Sequence, residues 1–111
     1  MALHIDFGEP VLDRKQAEAL TCEELNDFYC AASEVEGLNL FFVLLASLHH
    51  YEDAGERALA AYLSFLTAYY LFTPLTPPGS WTLAMHYVEK AVRLDPQPEY
   101  LAWRELMRAG N

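Results

Sequence analysis

The side chains best suited to chemistry lie in the stretch HHYED, residues 49–53, which combines two histidines with two carboxylates. A metal site on a helix needs ligands three or four residues apart, so that they project from one face. His49 and His50 are adjacent, and adjacent side chains diverge by about 100° around a helix. We therefore interpret this stretch as the polar end of a helix, where histidine suits the negative C-terminal dipole.

No other stretch carries a recognisable catalytic motif. The sequence has no glycine-rich phosphate loop and no serine or cysteine in a known nucleophile motif. Acids in the helix predicted after Thr21 could act as paired carboxylates, but we interpret them as a solvated face. We therefore expect no enzyme, no cofactor and no bound metal. The enzymatic alternative is a metal-dependent site built from His49, His50, Glu52 and Asp53.

The cysteines and the apolar runs bear on the compartment. Cys22 and Cys30 share one predicted helix, and eight residues of helix separate them by about 12 Å, beyond disulfide reach. We expect reduced thiols, with an intermolecular disulfide as the alternative. The sequence shows no secretory leader pattern, and the apolar run at 40–48 is shorter than a membrane span. These features predict a soluble cytoplasmic protein.

Charge is distributed unevenly along the chain, whose formal net charge is −9. Residues 1–56 contain 12 acids and only two bases, Arg14 and Lys15, whereas residues 57–111 carry a balance of +1. Such a field repels nucleic acid and anionic membranes and favours a basic partner. The other explanation is that the acids keep a small protein with 53% hydrophobic residues in solution.

Helical periodicity predicts an all-α fold, a bundle of five helices in one domain. Residues 3–7, LHIDF, alternate apolar and polar side chains as a short strand does, and residues 13–20 favour a helical turn. The predicted domain spans residues 1–111, with an extended N-terminal arm (1–12), three helices (21–73), a proline-rich loop (74–80) and two helices (81–109).

Two of the predicted helices have definite sequence features. The first begins at Thr21, which has Glu24 at the spacing of a capping box, and Gly37 is predicted to end it. The second starts near Asn39 and is apolar on nearly all sides until His49. We therefore expect this second helix to be the most buried one.

The stretch AMHYVEKAVRLDP, residues 84–96, resembles the second helix of a tetratricopeptide repeat and the turn that follows. Ala84, Val88, Ala91 and Pro96 stand at that family's spacings of four, three and five residues. A fainter copy lies upstream, 26 residues away instead of the regular 34. The residues of this upstream copy are Phe42, Leu45, Ala46, Tyr51, Ala58 and Tyr62.

The resemblance covers about half of the chain and implies an irregular domain of tetratricopeptide-like helical hairpins. In that family, alanines let paired helices pack closely and the proline ends the repeat. Such domains hold a peptide or another protein without chemistry of their own. The resemblance therefore implies a protein-binding function.

Together these features predict a cytoplasmic domain that binds one basic protein. By analogy with other small acidic helical proteins, it would be an immunity protein, an antitoxin or a chaperone for a secreted effector. The alternative is a structural homo-oligomerisation module, in which a homodimer buries the apolar surface of residues 38–72. The predicted partner-binding residues are Glu23, Glu24, Asp27, Glu34 and Glu36, with Tyr29, Tyr51 and Trp81 as aromatic anchors.

Overall fold

The computed structural model of the chain describes residues 5–110, which form six α-helices and no β-strand. A π-helical turn, Leu71–Leu75, extends the fourth helix. The predicted all-α class is therefore confirmed, and the helical turn predicted at residues 13–20 forms the first helix. The six helices are α1 (Arg14–Ala19), α2 (Cys22–Ala31), α3 (Glu34–Asp53), α4 (Arg57–Tyr70), α5 (Ser80–Leu94) and α6 (Pro98–Ala109).

Three successive capping boxes set the starts of the first three helices. In each, the cap side chain accepts a hydrogen bond from a backbone N–H three residues on, and that later side chain accepts one in return. The box predicted at Thr21 is confirmed, with 3.1 Å between the Glu24 nitrogen and the Thr21 hydroxyl oxygen. The three pairs are Asp13 with Gln16, Thr21 with Glu24, and Ser33 with Glu36.

The boundary between α2 and α3 lies earlier in the chain than predicted. Since α2 ends at Ala31 and α3 begins at Glu34, the predicted break at Gly37 is wrong. Gly37 is buried in the first turns of α3, where its carbonyl oxygen accepts a hydrogen bond of 2.5 Å from the Tyr70 hydroxyl. The glycine therefore marks the close approach of α4 to α3.

The most buried helix is α4, and the prediction that it would be the helix starting near Asn39 is wrong. Eleven of the 14 residues of α4 are buried, against seven of the 20 residues of α3. The reason is that α4 lies between α3 and α5 and also contacts α1 and α2. An apolar circumference shows that a helix could be buried, but the neighbouring helices decide which of its faces are covered.

The stretch Arg57–Leu75, which is α4 with its π-helical turn, has the length and apolar composition of a membrane span. However, 72% of the apolar 18-residue stretch within it is buried inside the protein. The buried hydroxyl groups of Ser64 and Thr67 are satisfied within the helix, by the Ala60 carbonyl oxygen at 2.8 Å and the Leu63 carbonyl oxygen at 2.7 Å. By length and composition alone, a core helix of a helical bundle is indistinguishable from a membrane span.

Residues 5–12, which we call the N-terminal segment, form a turn and then lie against α3. The Leu12 N–H donates to the Ser47 hydroxyl at 2.9 Å, and the Tyr51 hydroxyl donates to the Leu12 carbonyl oxygen at 2.7 Å. Residues 5–7 are not in a strand but lead into a turn, in which the Glu9 N–H donates to the Asp6 carbonyl oxygen at 2.9 Å. Residues 3 and 4 of the predicted strand lie outside the described residues.

The proline-rich loop predicted at residues 74–80 spans residues 76–79, so it begins two residues later and ends one residue earlier than expected. Pro74 lies inside the π-helical turn, whose wider ring accommodates a proline that lacks an N–H donor. Thr76 then leaves the helix with a φ of 43°, and Gly79 precedes α5 with a φ of 78°. Two left-handed residues therefore reverse the chain between α4 and α5.

Candidate functional site

The HHYED stretch lies at the C-terminal end of α3, as predicted. His49 and His50 are exposed, and the Glu52 carboxylate forms an ion pair of 2.9 Å with the Lys90 ammonium group of α5. Among residues 5–110 no three histidine, cysteine or acidic side chains are grouped so as to hold a metal ion. In the described part of the chain, these residues therefore form the polar C-terminal end of α3.

The two cysteines share α2 and are both free thiols. Cys30 is exposed, whereas Cys22, the first residue of α2, is partly buried. Burial, together with the negative charge of Glu99, raises the pKa of the Cys22 thiol to about 12. At neutral pH this thiol is protonated, and the thiolate is the reactive form of cysteine.

We expect iodoacetamide at pH 8 to modify Cys30 at least about ten times faster than Cys22, because thiolate content and exposure control the rate. No lysine or arginine separates the two residues, so one tryptic peptide contains both. Intact mass measured over time on Cys22→Ser and Cys30→Ser variants therefore resolves the two rates. In denaturant the two variants should react alike; equal rates in the native state would contradict the burial of Cys22.

Four of the five predicted acidic residues lie in the first turns of α2 and α3, and Asp27 lies in the middle of α2. The side chains of Glu23, Asp27 and Glu34 are exposed to solvent. Glu24 and Glu36 also act in the capping boxes, and hydrogen bonds from Ser33 lower the pKa of the Glu36 carboxyl. The structure therefore separates three solvent-facing acids from two that also shape the backbone.

The three predicted aromatic anchors do not share one surface. Tyr29 on α2 is partly exposed and packs edge-on against Tyr70, with 6.1 Å between the ring centroids. Trp81 on α5 is 49% exposed and donates its indole N–H to the Met107 carbonyl oxygen of α6 at 2.7 Å. Tyr51 is 7% exposed and bonded to Leu12, so it belongs to the core and offers no anchor at the surface.

A surface that the sequence analysis did not identify lies along one side of α3. Val35, Leu38 and Phe42 are 67%, 47% and 56% exposed, although all three are large and apolar. Their spacing of three and four residues puts them on the side of α3 opposite its buried stripe. We call this side the outer face of α3, and its residues are Val35, Leu38, Asn39, Phe42, Leu45, Ala46 and His49.

The N-terminal segment turns part of this outer face into a groove. Phe7 and Pro10 lie beside Phe42, and the space between them has a volume of about 570 Å³. The Phe7 ring also packs edge-on against Phe28 of α2, at 6.4 Å between centroids. The groove is lined mainly by apolar side chains: Phe7, Pro10, Asn39, Phe42, Val43, Leu45, Ala46 and His49.

Acidic residues lie close in the chain to the residues that line this groove. Asp6 and Glu9 are exposed neighbours of Phe7 and Pro10 and line a separate depression with Leu12 and Gln16, while Glu34 and Glu36 lie at the N-terminal end of α3. From residue 16 to residue 56 the sequence contains no lysine or arginine. The groove therefore lies on a helix, α3, from a segment of the chain whose fixed charges are all negative.

Comparison of the chain with protein-family models, with curated proteins and with solved structures gives no match. The class of protein is therefore described by the fold and by this surface. It is an all-α domain in which α4 forms the core and α3, which has no lysine or arginine, presents an apolar groove.

Proposed function

We propose that this chain is a non-catalytic protein-binding domain that holds one basic protein partner. The observation that supports this proposal most directly is the apolar groove on α3, within a stretch of 41 residues that has no lysine or arginine. Large exposed apolar patches on a small domain commonly mark interaction surfaces. The surrounding acids favour a partner of opposite charge and speed its approach.

The residues take different roles in this proposal. Glu23, Asp27 and Glu34 attract the partner from solution, because they are exposed and lie outside the hydrogen bonds of the capping boxes. Phe42 and Tyr29 provide apolar contacts once the partner has arrived. Trp81 is an additional anchor on α5, and Tyr51 has no contact role because it is buried.

The biological class that we propose is a cytoplasmic immunity protein or antitoxin-like inhibitor, or a chaperone of a secreted effector. Support comes from small size, a net charge of −9 and an all-helical fold, by analogy with proteins of those classes. A strongly acidic domain could cover a basic active site or a basic effector segment. Both tasks require binding and no catalysis by this chain.

We also propose that residues 84–96 form half of a tetratricopeptide-like hairpin. In support, Ala84, Val88 and Ala91 are fully buried on one side of α5, where that family requires small or apolar residues. Pro96 follows between α5 and α6. The π-helical turn before α5 is a departure from a regular repeat.

A structural homo-oligomerisation module is the second candidate function. It is favoured by the exposure of Val35, Leu38 and Phe42, which a second copy of the chain could cover. Two copies that each carry a net charge of −9 repel one another, however. We therefore rank this candidate below a basic partner.

Affinity capture from cells of the native source tests the proposal. The tagged wild-type chain should retain a protein of basic composition, identified by mass spectrometry. A charge variant with Glu23→Gln, Asp27→Asn and Glu34→Gln should retain less of it, while the control Asp95→Asn, Glu99→Gln, Glu105→Gln should retain as much as the wild type. Retention of no basic protein, or equal retention by both variants, would contradict the proposal.

A further inference from the structure

We infer that the groove on α3 holds an amphipathic helix of the partner, with a row of large apolar side chains bordered by lysines or arginines. This inference rests on the proposed function and adds the chemistry of the segment that is bound. Three observations lead to it: the length of the outer face of α3, the absence of a β-strand from residues 5–110, and the lack of lysine and arginine on α2 and α3.

The length of the outer face suits a helix. From Val35 to His49 the face runs along 15 residues of α3, which at 1.5 Å per residue is about 21 Å, or four turns. Val35, Leu38, Phe42 and Leu45 repeat along it at helical spacing. A second helix laid alongside could place its own side chains between these residues, in the manner of helix-in-groove recognition.

The chemistry of the groove favours a helix over an extended peptide. An extended peptide must have its backbone N–H and C=O groups satisfied, usually by the edge of a sheet. Residues 5–110 contain no strand, and Asn39 and His49 are the polar side chains that line the groove. A helix satisfies its own backbone groups and can therefore lie on apolar side chains.

The charge around the groove identifies the residues that border the apolar row of the partner. Asp6 and Glu9 are neighbours in the chain of the groove-lining Phe7 and Pro10 and line an adjoining depression, while Glu34, Glu36 and Asp53 lie toward the two ends of α3. Lysine or arginine on the bound helix would face these carboxylates. A second copy of this chain would instead bring its own acidic residues against them.

A pair of labelled synthetic peptides tests the inference on the full chain. The first is an 18-residue helix with leucines on one face and lysines elsewhere, and the second has the same lysines with serine in place of each leucine. We expect fluorescence anisotropy to show at least about tenfold tighter binding of the leucine peptide, since apolar burial adds to electrostatic attraction. Equal binding of the two peptides would overturn the inference.

Two double variants locate the binding surface. Leu38→Gln with Phe42→Gln should weaken binding of the leucine peptide at least about tenfold, because both are large exposed apolar residues of the outer face and Phe42 also lines the groove. Leu83→Gln with Leu106→Gln removes similarly exposed leucines from α5 and α6, and should change the affinity less than about twofold. Circular dichroism and thermal unfolding of both variants establish that the fold is retained.

The outcomes separate this inference from the proposed function. If a basic protein is captured but the Leu38/Phe42 variant binds the leucine peptide normally, the acids bind the partner and the groove does not. If the chain sediments as a dimer that the same variant dissociates, the groove is a contact between copies, and the inference fails. If neither peptide binds and no basic protein is captured, both the inference and the proposed function fail.

Discussion

Leu66→Ala is expected to lower the free energy of unfolding by about 2–5 kcal/mol, which is the usual cost of removing a large side chain from a filled core. Leu66 is fully buried in the middle of α4, the helix that α3 and α5 enclose. Since small domains are stable by only about 5–15 kcal/mol, such a loss is a large part of the total. Urea denaturation of the wild type and the variant measures it.

The matched control for this prediction is Phe42→Ala on α3. Phe42 is more than half exposed, so we expect its removal to change the free energy of unfolding by less than about 0.5 kcal/mol. The contrast is informative because α3 and α4 are both apolar on nearly all sides, so that the sequence alone would place both Phe42 and Leu66 in the core. A loss of several kcal/mol from Phe42→Ala, or none from Leu66→Ala, would contradict the assignment of α4 as the core helix.

The difference between α3 and α4 shows what periodicity can and cannot predict. The sequence identifies both as apolar helices, because apolar residues fill nearly every position of residues 40–48 and of residues 58–72. It does not show that α1, α2, α3 and α5 all contact α4, whereas one side of α3 lacks a covering helix. Burial depends on those contacts between distant segments, and one sequence does not contain them in a readable form.

Helix boundaries could have been predicted more accurately than they were. Ser33 and Glu36 have the same capping-box spacing as Thr21 and Glu24, and that signal places the start of α3 at Glu34. Reading Gly37 as a helix end instead gave the glycine a role that it does not have. Its backbone carbonyl oxygen instead accepts a hydrogen bond from Tyr70, which lies 33 residues away in the chain.

The candidate site was predictable only in part. Its negative charge is a property of composition, and the exposure of Glu23, Asp27 and Glu34 agrees with their polar character. The groove depends on a turn that brings Phe7 and Pro10 beside Phe42, some 35 residues later in the chain. Tyr51 illustrates the same limit, because its bond to Leu12 draws a polar aromatic residue into the core.

The association rate with a basic partner should fall by at least about tenfold between 0.01 M and 1 M salt, if the acids steer the encounter. The Debye length shrinks from about 30 Å to about 3 Å over this range, so charges attract only at contact distance. Stopped-flow mixing with the lysine–leucine peptide, and with any captured protein, measures the rate. The charge variant (Glu23→Gln, Asp27→Asn, Glu34→Gln) should associate more slowly at low salt and show a shallower salt dependence.

The sign of the salt effect also distinguishes the two candidate functions. Attraction between an acidic domain and a basic helix weakens as salt rises, whereas repulsion between two copies of a chain with a net charge of −9 is relieved. Self-association that strengthens from 0.01 M to 1 M salt in sedimentation experiments would therefore support the homo-oligomeric module.

With a basic partner, the control variant (Asp95→Asn, Glu99→Gln, Glu105→Gln) removes equal charge from the second half of the chain and should keep most of the wild-type rate. An equal loss in both variants would mean that net charge, and not the particular acids of α2 and α3, governs the encounter.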